Sequence, residues 1–592
     1  MTSRLLQGIA ILAAWVGGVA APGAAAAAGT QARLGAATQG RTAAAARRPP
    51  ANKHGASGAD AGAASRLEAQ VDPLELLWSH RLDFAPDGSP LVSVRIGEGE
   101  RELALVPKGN VRISLRGKGA KALEGPAGGT WRFRIRDGVP ARIRWAPRVA
   151  EVDLAGKAAV GAELERWAGR GYDARAVIVG GVFGFSGRVV DNRRYAILLG
   201  APGSRDDAER LAADVRERFG DPVSLFSELE ARPQGVVEII DPRGKKVAES
   251  PGAAVVEVPG GGGITVLGVE HDMGYAAHGR EDRTYRGKVF VTVDSQGRAA
   301  AVSVLPMEEL LRGIVPSEIF ASAPSEALQA QAVAARGEVL AKIGARHLGD
   351  PFLLCAEQHC QVYKGLSGEH PRTDEAIAAS RGEVLFGSRG GLVDSVYSST
   401  CGGHTENNEA VWGTPPDPNL RGVPDWIGHP ELAAYASGIA EGKVARFLSA
   451  DVPGMCSSAT FARKEKYRWE RRFTAAELDE IVASFGVGKV VSLEVTGRGV
   501  SGRATGLAIR GSLGSHVING ELAIRRLLKN LNSSLFVIER EGPAGAWRFR
   551  GAGWGHGVGM CQIGAIGRAE LGHDHAAILR HYYNGADLVR LY

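Results

Sequence analysis

In the run "GIVPSEIFASAPSEALQAQAVAAR", residues 313–336, one carboxylate stands apart from the residues around it. Glu318 follows Val315-Pro316-Ser317 and precedes a stretch of helix formers. Proline fixes its own φ and biases the residue before it towards extended geometry, so Glu318 is expected in a rigid turn ahead of a helix that starts at Pro324-Ser325-Glu326. A carboxyl aimed in this way can donate a proton and later take one back. To do so near neutral pH it needs an apolar setting or a nearby negative charge, and Ile314, Val315, Ile319 and Phe320 are the apolar neighbours. As a bare loop residue it serves equally as a solvated acid. The competing acids are Glu308 and Glu309, which fit a helix face, and Glu326, which fits a first helical turn where acids suit the dipole.

A second group of residues offers metal chemistry. "HLGDPFLLCAEQHCQVY" supplies His347, Cys355, His359 and Cys360, two thiolates and two imidazoles within 14 positions. That is the donor set of a Cys2His2 zinc site, although not at finger spacing, and a Cys355–Cys360 disulfide is the alternative. Four protein ligands would close such a site, making zinc a structural cofactor; the acid–base chemistry requires none. The remaining cysteines are Cys401, Cys456 and Cys561, and an odd total leaves at least one outside any set of disulfides.

The elements that must position these groups follow from patterning. "LVSVRIGEGERELALV" and "NVRISLRG" alternate apolar with polar, the period of half-buried strands, and predict a small β-rich module over 73–145. Two consecutive strand–helix–strand units predict a compact α+β domain over 150–232. A β-rich stretch from 235 then leads into the Glu318 segment. The expected fold class is α+β, multidomain and β-rich, with helices inserted in the C-terminal region.

The α+β segment, through "YAILLGAPGSRDDAERLAADVRERFG", resembles the sporulation-related repeat (SPOR) domains, which bind peptidoglycan strands lacking stem peptides. An ordinary split β-α-β domain fits as well. A second resemblance rests on four motifs in order, "GIVPSEIFASAPSEALQAQAVAAR", "HCQVYKG", "VYSSTCGGHTENNEAVWG" and "GAGWGHGVGMCQIGAIGRAE". Residues 235–592 resemble the SpoIID/LytB family, stage II sporulation protein D and its relatives. The resemblance implies a lytic transglycosylase that cuts glycan strands and leaves a 1,6-anhydro sugar, with Glu318 as its catalytic acid. It also implies zinc beside the cleft, at the HC pair ahead of "QVY". Sugars are commonly held by amide, hydroxyl and aromatic groups, so the motifs offer Gln331, Arg336, Gln361, Tyr363 and Tyr397 for substrate contact. Ser399, His404, His556 and Gln562 complete that set. Tyrosine on a strand serves core packing just as readily.

Length and composition bound the rest. With 592 residues and 44% hydrophobic content the chain suits several globular domains rather than a membrane bundle. Residues 1–29 have the pattern of a signal peptide, an apolar core followed by small residues, with a retained N-terminal membrane anchor as the alternative. Residues 30–72 are Ala, Gly, Arg and Ser with few large apolar groups, and predict a disordered linker. The formal net charge of +6 partly resides there. Without a nucleic-acid motif in an exported chain, an anionic cell envelope suits that charge better than nucleic acid does, and a simple solvated tail suits it better than either. The expected location is the periplasm or cell envelope and the expected partner is the peptidoglycan glycan strand. Two non-catalytic alternatives stand beside the enzyme: an activator of a cell-wall amidase, and a glycan-binding scaffold.

Overall fold

A computed structural model describes residues 72–592, except positions 80, 118, 155, 186, 222, 273–277, 358, 389, 415, 451–452 and 543–544. The expected signal peptide and almost all of the expected linker lie outside the described residues. Among the described residues, no helix is long and apolar enough to cross a membrane.

Two large sheets form the body. The seven-stranded sheet runs in the order Leu354–Cys355, Leu91–Glu100, Ala299–Pro306, Lys288–Val293, Ala253–Glu257, Val111–Leu115, Leu123–Gly125. The six-stranded sheet runs Lys246–Pro251, Gln234–Ile240, Trp131–Val139, Glu102–Pro107, Ile264–His271, Gly279–Tyr285. Each takes strands from both sides of the α+β segment, so the β module expected over 73–145 does not stand alone. Alternation in sequence reveals which side chains face a core but not which strand supplies the partner. Val92, Leu105, Ile113, Phe133, Ile239, Val256 and Val291 are fully buried in one shared core.

The α+β domain is an insertion between two paired strands. Trp131–Val139 pairs with Gln234–Ile240, with Val139 opposite Gln234, and the chain between them leaves and returns. Its four-stranded sheet has the order Ser224–Ala231, Arg142–Asp153, Arg194–Leu199, Ala174–Val179, with helices Lys157–Gly169 and Arg205–Phe219. The expected boundary at 150 therefore cuts an interior strand, and the domain begins near Arg142. The hairpin Val182–Phe185/Arg188–Asp191 leaves this domain and enters the main core, where Phe183, Phe185 and Val190 are buried. Beside it the Asn192 amide donates to the carbonyls of Leu340, Ala341 and Ile343 at 3.3, 3.4 and 3.1 Å. These carbonyls lie at the end of helix Ser325–Lys342, where Leu340 O also accepts from Ile343 N–H.

A second excursion begins after Tyr397–Ser398 and ends at Met560–Cys561, two short strands that pair in parallel. Between them lie two three-stranded sheets around a separate core that includes Phe473, Leu507, Ile509, Phe536 and Phe549. At the centre of the main body runs helix Ser325–Lys342, buried from Ala327 onwards. Its small residues let neighbours approach closely: a Cβ at Gly337 would stand 2.4 Å from Ser395 Oγ. Helices Met307–Glu318, Pro371–Ala379, Gln562–Glu570 and His575–Tyr582 pack around it.

Candidate active site

Glu318 is the last residue of helix Met307–Glu318, not part of a turn. Proline is costly inside a helix because it removes a hydrogen bond and crowds the preceding turn. Here only Ser317 and Glu318 follow Pro316, and Ser317 Oγ donates to Gly313 O at 2.8 Å. Ile319 then leaves in extended geometry at φ −132°, ψ 153°. The helix is held by its apolar face, Leu310, Leu311, Ile314 and Val315, and by Gly313, where a Cβ would lie 2.5 Å from the Tyr363 ring.

The Glu318 carboxyl is half-buried, and Val362 N–H donates to its Oε1 at 3.3 Å. Burial pushes its pKa from 4.5 up to about 7, against the pull of that N–H, the Gln562 amide and the charges of Lys364 and Lys342. Its place at a helix C-terminus, the negative end of the dipole, also disfavours the anion. A carboxyl so placed is part protonated at neutral pH and can act as acid and then as base.

Amides and one tyrosine fix its surroundings. Gln562 Nε2 donates to Glu318 O at 2.9 Å and to Gln331 Oε1 at 3.2 Å. Gln361 Nε2 donates to Ala335 O at 2.9 Å, and Gln361 Oε1 accepts from Tyr397 Oη at 3.1 Å. Burial raises the Tyr397 hydroxyl well above its ordinary value, and the Glu318 charge adds to this. The half-buried His556 ring hydrogen-bonds the Tyr397 main chain, and its Nδ1 accepts from Val558 N–H at 3.1 Å. Burial, with the Arg525 and Arg503 charges, pushes the His556 pKa down to about 3. The ring is neutral at working pH and suits contact, not proton transfer. Glu318, Tyr397 and His556 thus share one neighbourhood although 238 positions separate the first from the last.

Several residues expected to touch substrate serve the scaffold. Arg336 is fully buried and bidentate to Glu308, at 2.9 and 2.8 Å, with a third bond to Glu383 O. Tyr363 packs in the core against Tyr285. His404 is fully buried, its Nδ1 at 2.7 Å from Thr405 O. Gln331 and Gln361 are buried and orient Gln562 and Tyr397. Ser399 is half-buried, and its carbonyl accepts from Ile563 N–H beside Gln562.

Exposed aromatic rings border these groups: Trp412 and Trp554 escaped the sequence reasoning, and Phe320, expected as an apolar neighbour of Glu318, is exposed. Phe320, two residues beyond Glu318, stacks on Phe461 at 4.7 Å. Trp412 lies 5.1 Å from the His556 ring, and Trp554 pairs through its main chain with Thr400. Large apolar side chains left in water mark a contact surface where they form a contiguous patch. The signal in sequence was a tryptophan inside each of two glycine-rich motifs, "VWG" and "GWGHG".

The His347, Cys355, His359 and Cys360 donor atoms all lie within 4.8 Å of one another. Asp350 holds His347 Nδ1 at 3.0 Å, which turns Nε2 towards Cys360 Sγ at 3.2 Å. A carboxylate behind a histidine is the usual outer support of a metal-ligating ring. The donor set fits a closed tetrahedral zinc ion. Gln361 follows Cys360 directly, so the cluster abuts the amide network.

Residues 295–386 match the family described as Stage II sporulation protein, SpoIID. Residues 406–559 match DUF8618, a domain of unknown function, and this span falls within the second excursion. The chain is 28% identical over 291 residues to an uncharacterised protein of Brachyspira hyodysenteriae, covering 49% of this chain and 68% of that one. It is 28% identical over 305 residues to stage II sporulation protein D of Bacillus subtilis, covering 49% and 76%. Identity to the amidase enhancer of Bacillus subtilis is 28% over 293 residues, covering 47% of this chain and 40% of that protein. The SpoIID match spans the helix that ends at Glu318 and all four donors of the histidine–cysteine cluster, and with these relatives it supports the likeness to the SpoIID/LytB family.

Proposed function

We propose that the protein is an exported lytic transglycosylase of the cell envelope, cutting peptidoglycan glycan strands that lack stem peptides. The observation that carries this is the half-buried Glu318 carboxyl at a helix terminus, its pKa raised to about 7 by burial. Glu318 protonates the glycosidic oxygen as the bond to the anomeric carbon breaks. The resulting carboxylate takes the proton from the sugar's own 6-hydroxyl as that oxygen closes the anhydro ring. One carboxyl is thereby returned to its starting state, whereas hydrolysis by water calls on a pair. Tyr397 and His556 contact the sugar, and Phe320, Trp412 and Trp554 offer apolar faces for its rings. His347, Cys355, His359 and Cys360 hold a structural zinc ion that fixes the segment leading into Gln361. The inserted α+β domain supplies further grip on the strand.

Similarity to stage II sporulation protein D and to an amidase enhancer supports work on the cell wall. The second of these relatives favours one rival, a non-catalytic activator of a peptidoglycan amidase. Mass spectrometry of products from denuded glycan strands separates the two. Fragments with 1,6-anhydro ends are expected; strands left uncut, together with faster turnover by an added amidase, would replace the enzyme with the activator.

A further inference from the structure

We infer that the protein holds a second zinc ion, bound by Cys401, Cys456, Cys561 and Asp425, at the neck of the excursion between residues 398 and 560. The four side chains are fully buried, and one donor atom from each lies within 4.8 Å of all the others. Cys401 Sγ is 3.6 Å from Cys456 Sγ and 3.2 Å from Asp425 Oδ2. Donors arranged tetrahedrally around an ion with Zn–S bonds of about 2.3 Å stand about 3.7 Å apart. That spacing encloses one ion rather than a polynuclear cluster. Three thiolates favour zinc or copper(I), and the hard carboxylate oxygen in the fourth position favours zinc.

The surroundings are those of bound thiolates. Cys561 Sγ accepts the N–H groups of Cys401 at 3.1 Å and Gly564 at 3.3 Å, and Cys401 Sγ accepts that of Gly403 at 3.4 Å. On the far side, Asp425 Oδ1 is held by Tyr582 Oη at 2.8 Å and by buried Arg568 at 3.2 Å. This leaves Oδ2 facing the sulfurs and offsets part of the anionic charge. Gly564 has no room for a side chain, since a Cβ there would lie 2.3 Å from Asp425 Oδ2. Three sulfurs cannot all be used by one disulfide.

The ion would join what the chain order separates. Cys401 opens the excursion, Cys456 and Asp425 lie within it, and Cys561 closes it on the residue before Gln562. Filling this centre would therefore set the position of the amide that holds the Glu318 carbonyl.

Elemental analysis of the full-length protein, isolated without chelator or reductant, tests the assignment. Two zinc ions per chain are expected, about one for each four-ligand site, with one lost in Cys456→Ser and the other in Cys355→Ser. Should Cys456→Ser fail to fold, zinc-edge X-ray absorption of the parent decides. An average of about 2.5 sulfurs per zinc marks both centres filled, and about three marks the new centre alone. One zinc with about two sulfurs, copper in place of zinc, or a peptide-mapped disulfide among Cys401, Cys456 and Cys561 would overturn it. The sulfur count keeps this result separate from the fate of the histidine-containing site.

Discussion

The Gln562 side chain donates to the main-chain carbonyl of Glu318 at 2.9 Å, across 244 positions of sequence. A motif near the C-terminus thereby fixes the backbone that carries the acid, and the same amide also reaches its carboxyl. Glu318→Gln keeps the shape and removes the titratable proton. Glycan binding should survive and cleavage should fall by about 100-fold or more, the scale of acid–base assistance. Product counting by mass spectrometry checks the rate, and co-sedimentation with denuded glycan checks binding.

The same carboxyl makes stability depend on pH. Its folded pKa of about 7 exceeds the ordinary 4.5, because burial disfavours the charged form. The native state thus keeps a proton that the unfolded chain releases above pH 4.5. This contribution is fully present below 4.5 and is lost as pH rises through about 7. Melting scans should find Glu318→Gln no more stable than the parent at pH 4 and more stable at pH 8. Cleavage by the parent should decline above about pH 7 as the protonated fraction shrinks.

Glu308 and Arg336 are expected to behave as one unit. The fully buried guanidinium of Arg336 has its carboxylate partner in Glu308, which also accepts from Tyr592 Oη at 2.7 Å. Removing one member strands the other's charge, which costs about 3–5 kcal/mol. Glu308→Ala should therefore lower stability in denaturant titration by that amount, and any loss of cleavage should follow the folded fraction. An unchanged midpoint would show the pair to be dispensable.

Gly313→Ala separates helix propensity from packing. Alanine is the better helix former by about 1 kcal/mol, yet its Cβ would meet the buried Tyr363 ring at 2.5 Å. Overpacking of this kind costs about 1–3 kcal/mol. A net loss of stability is expected, accompanied by slower cleavage because the displaced helix ends at Glu318.

Much of this site was legible in sequence because its motifs are short and locally coded. Glu318, the four donors of the first cluster, Tyr397 and His556 lie in continuous runs. What was hidden depended on tertiary structure. Pro316 read as a helix breaker, yet it occupies the last turn, where little helix remains to break. Arg336 and Tyr363 stand in the same set of motifs as the half-buried Tyr397 and His556, and only burial distinguishes them. The β strands were found, but their interleaving across residue 235 was not, since pairing partners leave no mark in alternation. Cys401, Cys456 and Cys561 are 55 and 105 positions apart and carried no spacing signal at all.

The hairpin that runs from the inserted α+β domain into the main core bears on how that domain would act in the proposed reaction. Phe185 stacks on Tyr592 at 6.0 Å, and Asn192 grips the end of the helix that lines the Glu318 network. Two chain crossings and this wedge tie the domain to the main core. A glycan strand lying along it would meet the acid in a constant register, as cloth meets a blade set at a marked distance. The fragments released should then cluster around one preferred number of disaccharides instead of spreading evenly over all lengths.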